Sequence, residues 1–212
     1  MTVDEVLKTG LVFVHFVVSA LALAAILRAD VHILARYNQS LSSDDCDKIH
    51  GTKRVVTPAL WLLWLTGLAI CALGWMGNPA YLMNQKLWMK VIVVLMLTVN
   101  GVFLHRVAFS YVRQGVRLSD AAPRAAALMT LMGTLSSSGW VFASFLGIAR
   151  ALNNKQNFLD VLGLYLLVLG GGLVVASIVM RRLRAQSAGR TTGVLYALSG
   201  GAAHKLAQRD AA

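Results

Sequence analysis

Three basic residues lie inside or at the edges of long apolar stretches of the sequence, namely His15, Lys90 and His105. Ionisable side chains at membrane depth are costly and usually face a bundle interior or a bound group. At about 100° per residue, Lys90, Gly101 and His105 fall along one stripe of a helix. The spacing therefore predicts a helical face with a basic group at each end and a glycine between them.

His15 stands in the first apolar stretch, and Ser19 follows it on the same helical face. A small residue such as Ser19 allows a neighbouring helix or a flat ligand to come close. A histidine in an apolar span is costly unless something satisfies it. We interpret His15 as a ligand or proton-handling residue, with a hydrogen-bonded packing histidine as the alternative.

The depths of these residues predict two polar layers. His15 and Lys90 enter from one boundary by roughly the same distance, whereas His105 lies at the opposite edge with Asp30 and His32. A neutral imidazole can supply an axial nitrogen to haem iron, and a lysine can neutralise a propionate. The residues therefore predict a haem b site with His15 or His105 as the metal ligand, and with Ser19, Lys90 and Gly101 as further cofactor contacts.

Composition places the chain among membrane proteins. Hydrophobic residues make up 57% and charged residues 14% of its 212 residues, whereas soluble domains are about 45–50% apolar. Five apolar segments are each long enough to cross a bilayer: Gly10–Leu27, Val55–Met76, Leu87–Leu104, Ala125–Ile148 and Leu159–Met180. We expect an all-α integral membrane bundle of five transmembrane helices in residues 1–184, with a basic cytoplasmic tail in residues 185–212.

The distribution of Lys and Arg predicts the orientation of the bundle. Fifteen of the 20 cations fall on one side if the amino terminus is outside. The positive-inside rule then puts the carboxyl terminus inside. The net charge of +11 is explained by a basic face against anionic lipid, and it requires no nucleic-acid partner.

Small residues in the last two segments predict close helix packing. Gly139, Ala143 and Gly147 recur at a spacing of four residues, which lets helix backbones approach each other. This face could join helices of one chain, or it could form a homo-oligomer or a larger membrane complex. The run Gly170–Gly172 predicts a kink or a very tight contact.

The loop before the second segment predicts a short helix, because Ser42 and Asp45 have capping-box spacing. Thr57-Pro58 is then expected to open the second transmembrane helix. Cys46 and His50 share a helix face, but together with the nearby carboxylates they match no specific metal-ligand set. We interpret this loop as helix capping with an acidic patch.

The order of these features resembles the HemJ-type protoporphyrinogen oxidases and the small membrane proteins that include copper-resistance D domains. The features are His15, the TPALWLLWLTG run that begins at Thr57, and Trp88, Lys90 and Asn100-Gly101 in the third helix. The resemblance covers roughly residues 10–105. It implies that His15 binds haem and that Lys90 is the functional, catalytic lysine. Asn100 stands where that family has a histidine, and the second half lacks the family's carboxyl-terminal signature.

These observations favour one function and leave two alternatives open. The first is a b-type haem protein of a bacterial-type inner (plasma) membrane, which transfers electrons or oxidises a membrane-soluble substrate. One alternative is a non-catalytic assembly subunit that uses the small-residue faces. The other is a metal or small-solute permease with a pathway formed by a glycine-broken fifth helix and the inner layer of His and Asp residues.

A reporter fused after Ala212 tests the predicted orientation. We expect cytoplasmic reporter activity, because most of the cations lie on the side of the carboxyl terminus. Periplasmic activity would contradict the orientation and would exchange the two polar layers between the leaflets.

Overall fold

The fold is a bundle of five long helices, seen in a computed structural model that describes residues 3–149 and 157–209. The helices are α1 (Val3–Arg36), α2 (Ser43–Gly77), α3 (Gln85–Arg106), α4 (Pro123–Ile148) and α5 (Phe158–Arg209). Each contains a stretch that is long and apolar enough to cross a membrane. The predicted all-α class is confirmed, and each of the five predicted segments lies in a helix that is long and apolar enough to cross a membrane.

The helices extend beyond the apolar segments. α1 has 34 residues and α2 has 35, whereas about 20 residues cross the hydrocarbon core of a bilayer. The backbone of the predicted basic tail continues α5 without a break to Arg209. Short 3-10 helices at Pro79–Met83, Ala108–Tyr111 and Leu118–Asp120 lie in the connections.

The start of α2 confirms one prediction and corrects another. The backbone N–H of Asp45 donates to Ser42 Oγ at 3.1 Å, and the backbone N–H of Ser42 donates to Asp45 Oδ2 at 3.0 Å. This is the predicted capping box. The prediction that Thr57-Pro58 opens a separate helix is wrong, because the loop helix runs directly into the apolar segment and Pro58 lies inside α2.

α4 is the helix that organises the bundle, because it contacts α1, α3 and α5. Its buried residues Trp140, Phe142 and Leu146 belong to the main core, together with Met89 and Leu97 of α3. A second apolar cluster, which includes Cys46 and Ile49, lies at the start of α2. α1 packs along α2, and α1 also contacts α4.

The small residues of α4 pack within the chain, as predicted. A β-carbon on Gly139 would lie 2.8 Å from Leu97 Cδ2, and Ala143 is buried. A β-carbon on Gly172 of α5 would lie 2.7 Å from Ser138 Oγ. The glycine run therefore makes a tight contact and leaves α5 unbroken. Whether Gly139, Ala143 and Gly147 also serve an oligomer stays a prediction.

Replacing Gly139 by leucine tests the contact between α3 and α4. We expect Gly139→Leu to lower the free energy of unfolding by roughly 1–3 kcal/mol, because the side chain has no space beside Leu97. Unfolding in detergent measures the change. Gly163→Leu is the matched control, since Gly163 is exposed and a β-carbon there meets no described atom within 4 Å. Equal stability of the two variants would contradict this packing.

Candidate functional site

Two cavities divide the predicted functional residues between them. The first, which we call the His15 cavity, has a volume of about 120 Å³ and is lined by His15, Cys71, Tyr81 and Lys90. The second, the His105 cavity, has a volume of about 540 Å³. The structure therefore brings His15 and Lys90 together and places His105 elsewhere.

Residues of the α3 stripe predicted from helical spacing line both cavities. Lys90 and Val94 line the His15 cavity, whereas Gly101 and His105 line the His105 cavity. Leu97 lies between these pairs and is buried in the core. A single helical face thus contributes to two sites on opposite sides of a packed layer.

A hydrogen bond fixes the tautomer of His15. His15 Nδ1 lies 2.8 Å from Thr66 Oγ1, and the Thr66 hydroxyl donates to the carbonyl of Leu62 at 2.7 Å. Since a hydroxyl has one hydrogen, Thr66 must accept from His15 Nδ1–H. The neutral ring then carries its lone pair on Nε2, which is the nitrogen available to a ligand.

Lys90 approaches the same cavity from α3. Its Nζ lies 3.8 Å from the point where a β-carbon on Gly147 would stand. Gly147 thus leaves room for the ammonium group beside α4. Within residues 3–149 and 157–209, no hydrogen bond or ion pair of Lys90 is present in the structure.

Tyr81 closes one side of the His15 cavity from the connection between α2 and α3. Its ring lies against Gly74, where a β-carbon would come within 2.6 Å of it. The ammonium group of Lys8 lies 5.3 Å from the centre of the same ring, within the range of a cation–π contact. Burial raises the pKa of the Tyr81 hydroxyl, and the nearby Cys71 adds to this effect. Tyr81 therefore remains a protonated donor.

The His105 cavity is mostly apolar and receives side chains from all five helices. His105 Nδ1 is buried and has no hydrogen-bond partner among the described residues. The His105 ring packs on Phe109, with 5.0 Å between ring centres. Gly101 and Gly133 also line the cavity, and a β-carbon on either would meet no described atom within 4 Å. These glycines leave open space beside the backbones of α3 and α4.

Asp30 is the only carboxylate among the described residues that line the His105 cavity. It forms a hydrogen bond with Ser137 Oγ, which links α1 to α4. Ser137 Oγ also lies 3.1 Å from the carbonyl of Gly133. Lys53 of α2 lines the same cavity, so one acid and one cation face this space together with His105.

His32, predicted to share a layer with His105, instead belongs to a cluster at the start of α2. His32 Nε2 lies 2.9 Å from Asp45 Oδ1, and Arg36 Nε lies 3.3 Å from the same atom. Asp45 therefore ties the end of α1 to the capping box of α2. No group of three or more potential metal ligands occurs in the described part of the chain.

Two other residues singled out in the sequence make contacts between helices. Ser19 Oγ lies 3.2 Å from Ser144 Oγ, which joins α1 to α4. Asn100 Nδ2 donates to the carbonyl of Met132 at 3.0 Å and is buried. Both side chains satisfy polar groups inside the bundle, and neither is among the residues that line the two cavities.

Sequence reasoning missed Thr66, Tyr81, Lys53 and Ser137 as partners of the predicted residues. A threonine within an apolar helix is a recognisable signal, because its hydroxyl can bond a neighbouring helix. Tyr81 gave no signal, since its place over the cavity depends on the fold of the loop.

Comparisons with family models, curated proteins and solved structures found no match.

Removing the Ser137 hydroxyl tests the contact between α1 and α4. We expect Ser137→Ala to lower the free energy of unfolding by about 1–3 kcal/mol, because Asp30 loses its hydrogen-bond partner. Unfolding in detergent measures the difference. Ser136→Ala is the control, since Ser136 lines the same cavity but has no contact with Asp30 in the structure. Equal losses in both variants would contradict a specific role for Ser137.

Proposed function

We propose that this chain is a multi-pass membrane protein that binds haem b in the His105 cavity and acts in electron transfer or in oxidation of a membrane-soluble substrate. The observation that carries the proposal is the buried, unpartnered Nδ1 of His105 beside an apolar cavity of about 540 Å³. The resemblance to haem-binding membrane proteins supplies the chemical class of the ligand.

Volume favours this cavity over the His15 cavity. Sites for drug-sized ligands and cofactors usually measure about 300–1,000 Å³, and the His105 cavity lies within that range. The His15 cavity, at about 120 Å³, is too small for a porphyrin in the observed packing. Of the two predicted metal ligands, we therefore propose His105 rather than His15.

The donor set of the His105 cavity also fits the cofactor. His105 lines this cavity, and its imidazole is of the type that serves as an axial ligand to haem iron. The cation of Lys53 suits a propionate. Gly101 and Gly133 leave wall space against which a flat ring can lie.

When bound, haem would supply one-electron redox chemistry. The apolar lining of the cavity would exclude water from the ligand, which strengthens the electrostatic effect of every charge there. Asp30, hydrogen-bonded to Ser137, could hold or release a proton at its carboxyl group. These residues are sufficient to bind a membrane-soluble substrate and to take up a proton from it.

The location in the cell forms part of the proposal. With the amino terminus outside, as the distribution of cations predicts, the His105 cavity lies on the cytoplasmic side of a bacterial-type plasma membrane. Lys53 then belongs to the basic inner face, where a cation is near anionic lipid.

The two alternative functions gain less from the structure. The assembly subunit would use Gly139 and Ala143, but both pack inside the bundle. The permease would use a broken fifth helix, but α5 is continuous from Phe158 to Arg209. We therefore keep the haem protein as the proposed function.

Absorption spectroscopy of the purified chain, produced with ample haem, tests the proposal. We expect a Soret band in the parent and in His15→Ala, and loss of that band in His105→Ala, because His105 is the proposed axial ligand. His50→Ala is a matched control, since His50 also packs on Phe109, at 5.4 Å, but does not line the cavity.

Two outcomes would overturn the proposal in different ways. A colourless parent would refute haem binding altogether. A Soret band that survives in His105→Ala but disappears in His15→Ala would move the haem to the smaller cavity. That second result would require the helices around His15 to separate on binding.

A further inference from the structure

The His15 cavity contains a positive charge that no described residue lining it neutralises. Lys90 is the only charged side chain among the described residues that line it, and no Asp or Glu is among them. A cation in apolar surroundings is costly without a counter-charge or hydrogen-bond acceptors. The cavity therefore has the electrostatic character of an anion site.

The approach to this cavity is also positive. Lys8 lies over the ring of Tyr81, which forms part of the cavity wall. Lys86, one turn before Lys90, is buried and donates to the carbonyl of Ala149 at 2.6 Å. Cations grouped around a low-dielectric cleft raise the local concentration of anions.

His15 adds a second requirement for the ligand. Its Nδ1–H is held by Thr66, so the neutral ring can only accept a hydrogen bond at Nε2. An anion with no hydrogen cannot donate to this nitrogen. A ligand that itself pairs with Lys90 and donates to His15 carries a negative charge and one O–H.

The volume sets the size of the ligand. A water molecule occupies about 30 Å³ in the liquid, so a cavity of about 120 Å³ holds on the order of four small groups. We infer that the His15 cavity binds a small monovalent oxyanion that keeps one O–H, of the bicarbonate type, with Lys90 pairing its charge and His15 Nε2 accepting its hydrogen. This inference does not depend on haem binding.

A comparison of bicarbonate with nitrate tests the requirement for an O–H separately from the requirement for a negative charge. Both are planar monoanions of one central atom and three oxygens, but nitrate has no O–H. We expect calorimetric titration of the detergent-purified full chain, at a fixed pH where bicarbonate predominates, to show bicarbonate binding. Nitrate should bind at least about tenfold more weakly, because it cannot donate to His15.

Variants assign the contacts. Lys90→Met should weaken bicarbonate binding by at least about tenfold, whereas Lys48→Met, the same change at an exposed lysine that lines neither cavity, should not alter it. His15→Asn keeps an N–H donor near Thr66 but removes Nε2. It should remove the preference for bicarbonate over nitrate, and thermal unfolding of each variant checks that it is folded.

Nitrogen-15 NMR of labelled histidine gives a test on the parent protein alone. Bicarbonate should shift the Nε2 resonance of His15, assigned by its absence from His15→Asn, and should leave the haem absorption unchanged. The inference is overturned if the parent shows neither heat nor shift with bicarbonate. Equal binding of nitrate and bicarbonate, or full binding by folded Lys90→Met, would also overturn it.

Discussion

A hydrocarbon interior, which the five helices are long and apolar enough to cross, requires every buried polar group to find a partner within the protein, and the polar contacts of the bundle fit this constraint. Ser19 reaches Ser144 and Asp30 reaches Ser137, so that α1 is tied to α4 at two levels. His15 with Thr66 ties α1 to α2. In water these contacts would compete with solvent. In an apolar surrounding they fix which helix faces meet.

Lys90 and the Nδ1 atom of His105 are two exceptions, each beside a cavity, that direct attention to function. The first is a cation without a partner in the described residues, and the second is a buried nitrogen without one. Because buried polar groups are nearly always satisfied, an exception usually marks a site where something else binds. Each exception lies beside its own cavity, and the two cavities differ more than fourfold in volume.

Much of the fold could be predicted because hydrophobic length and small-residue spacing are properties of the chain itself. The five spans, the capping box at Ser42 and the close packing of Gly139 follow from such local patterns. The size of each cavity could not be predicted, since it depends on how far neighbouring helices rotate and separate. His32 shows the same limit. Its contact with Asp45 depends on how the end of α1 meets the start of α2.

Equal spacing on two helices keeps the two sites in register. His15 and Asp30 are 15 residues apart on α1, and Lys90 and His105 are 15 residues apart on α3. Each interval corresponds to about 22 Å of helix at 1.5 Å per residue. The contact of Leu97 of α3 with Gly139 of α4 lies between these levels, so it fixes the position of α3 along α4. The packed middle layer therefore separates the two cavities along α3.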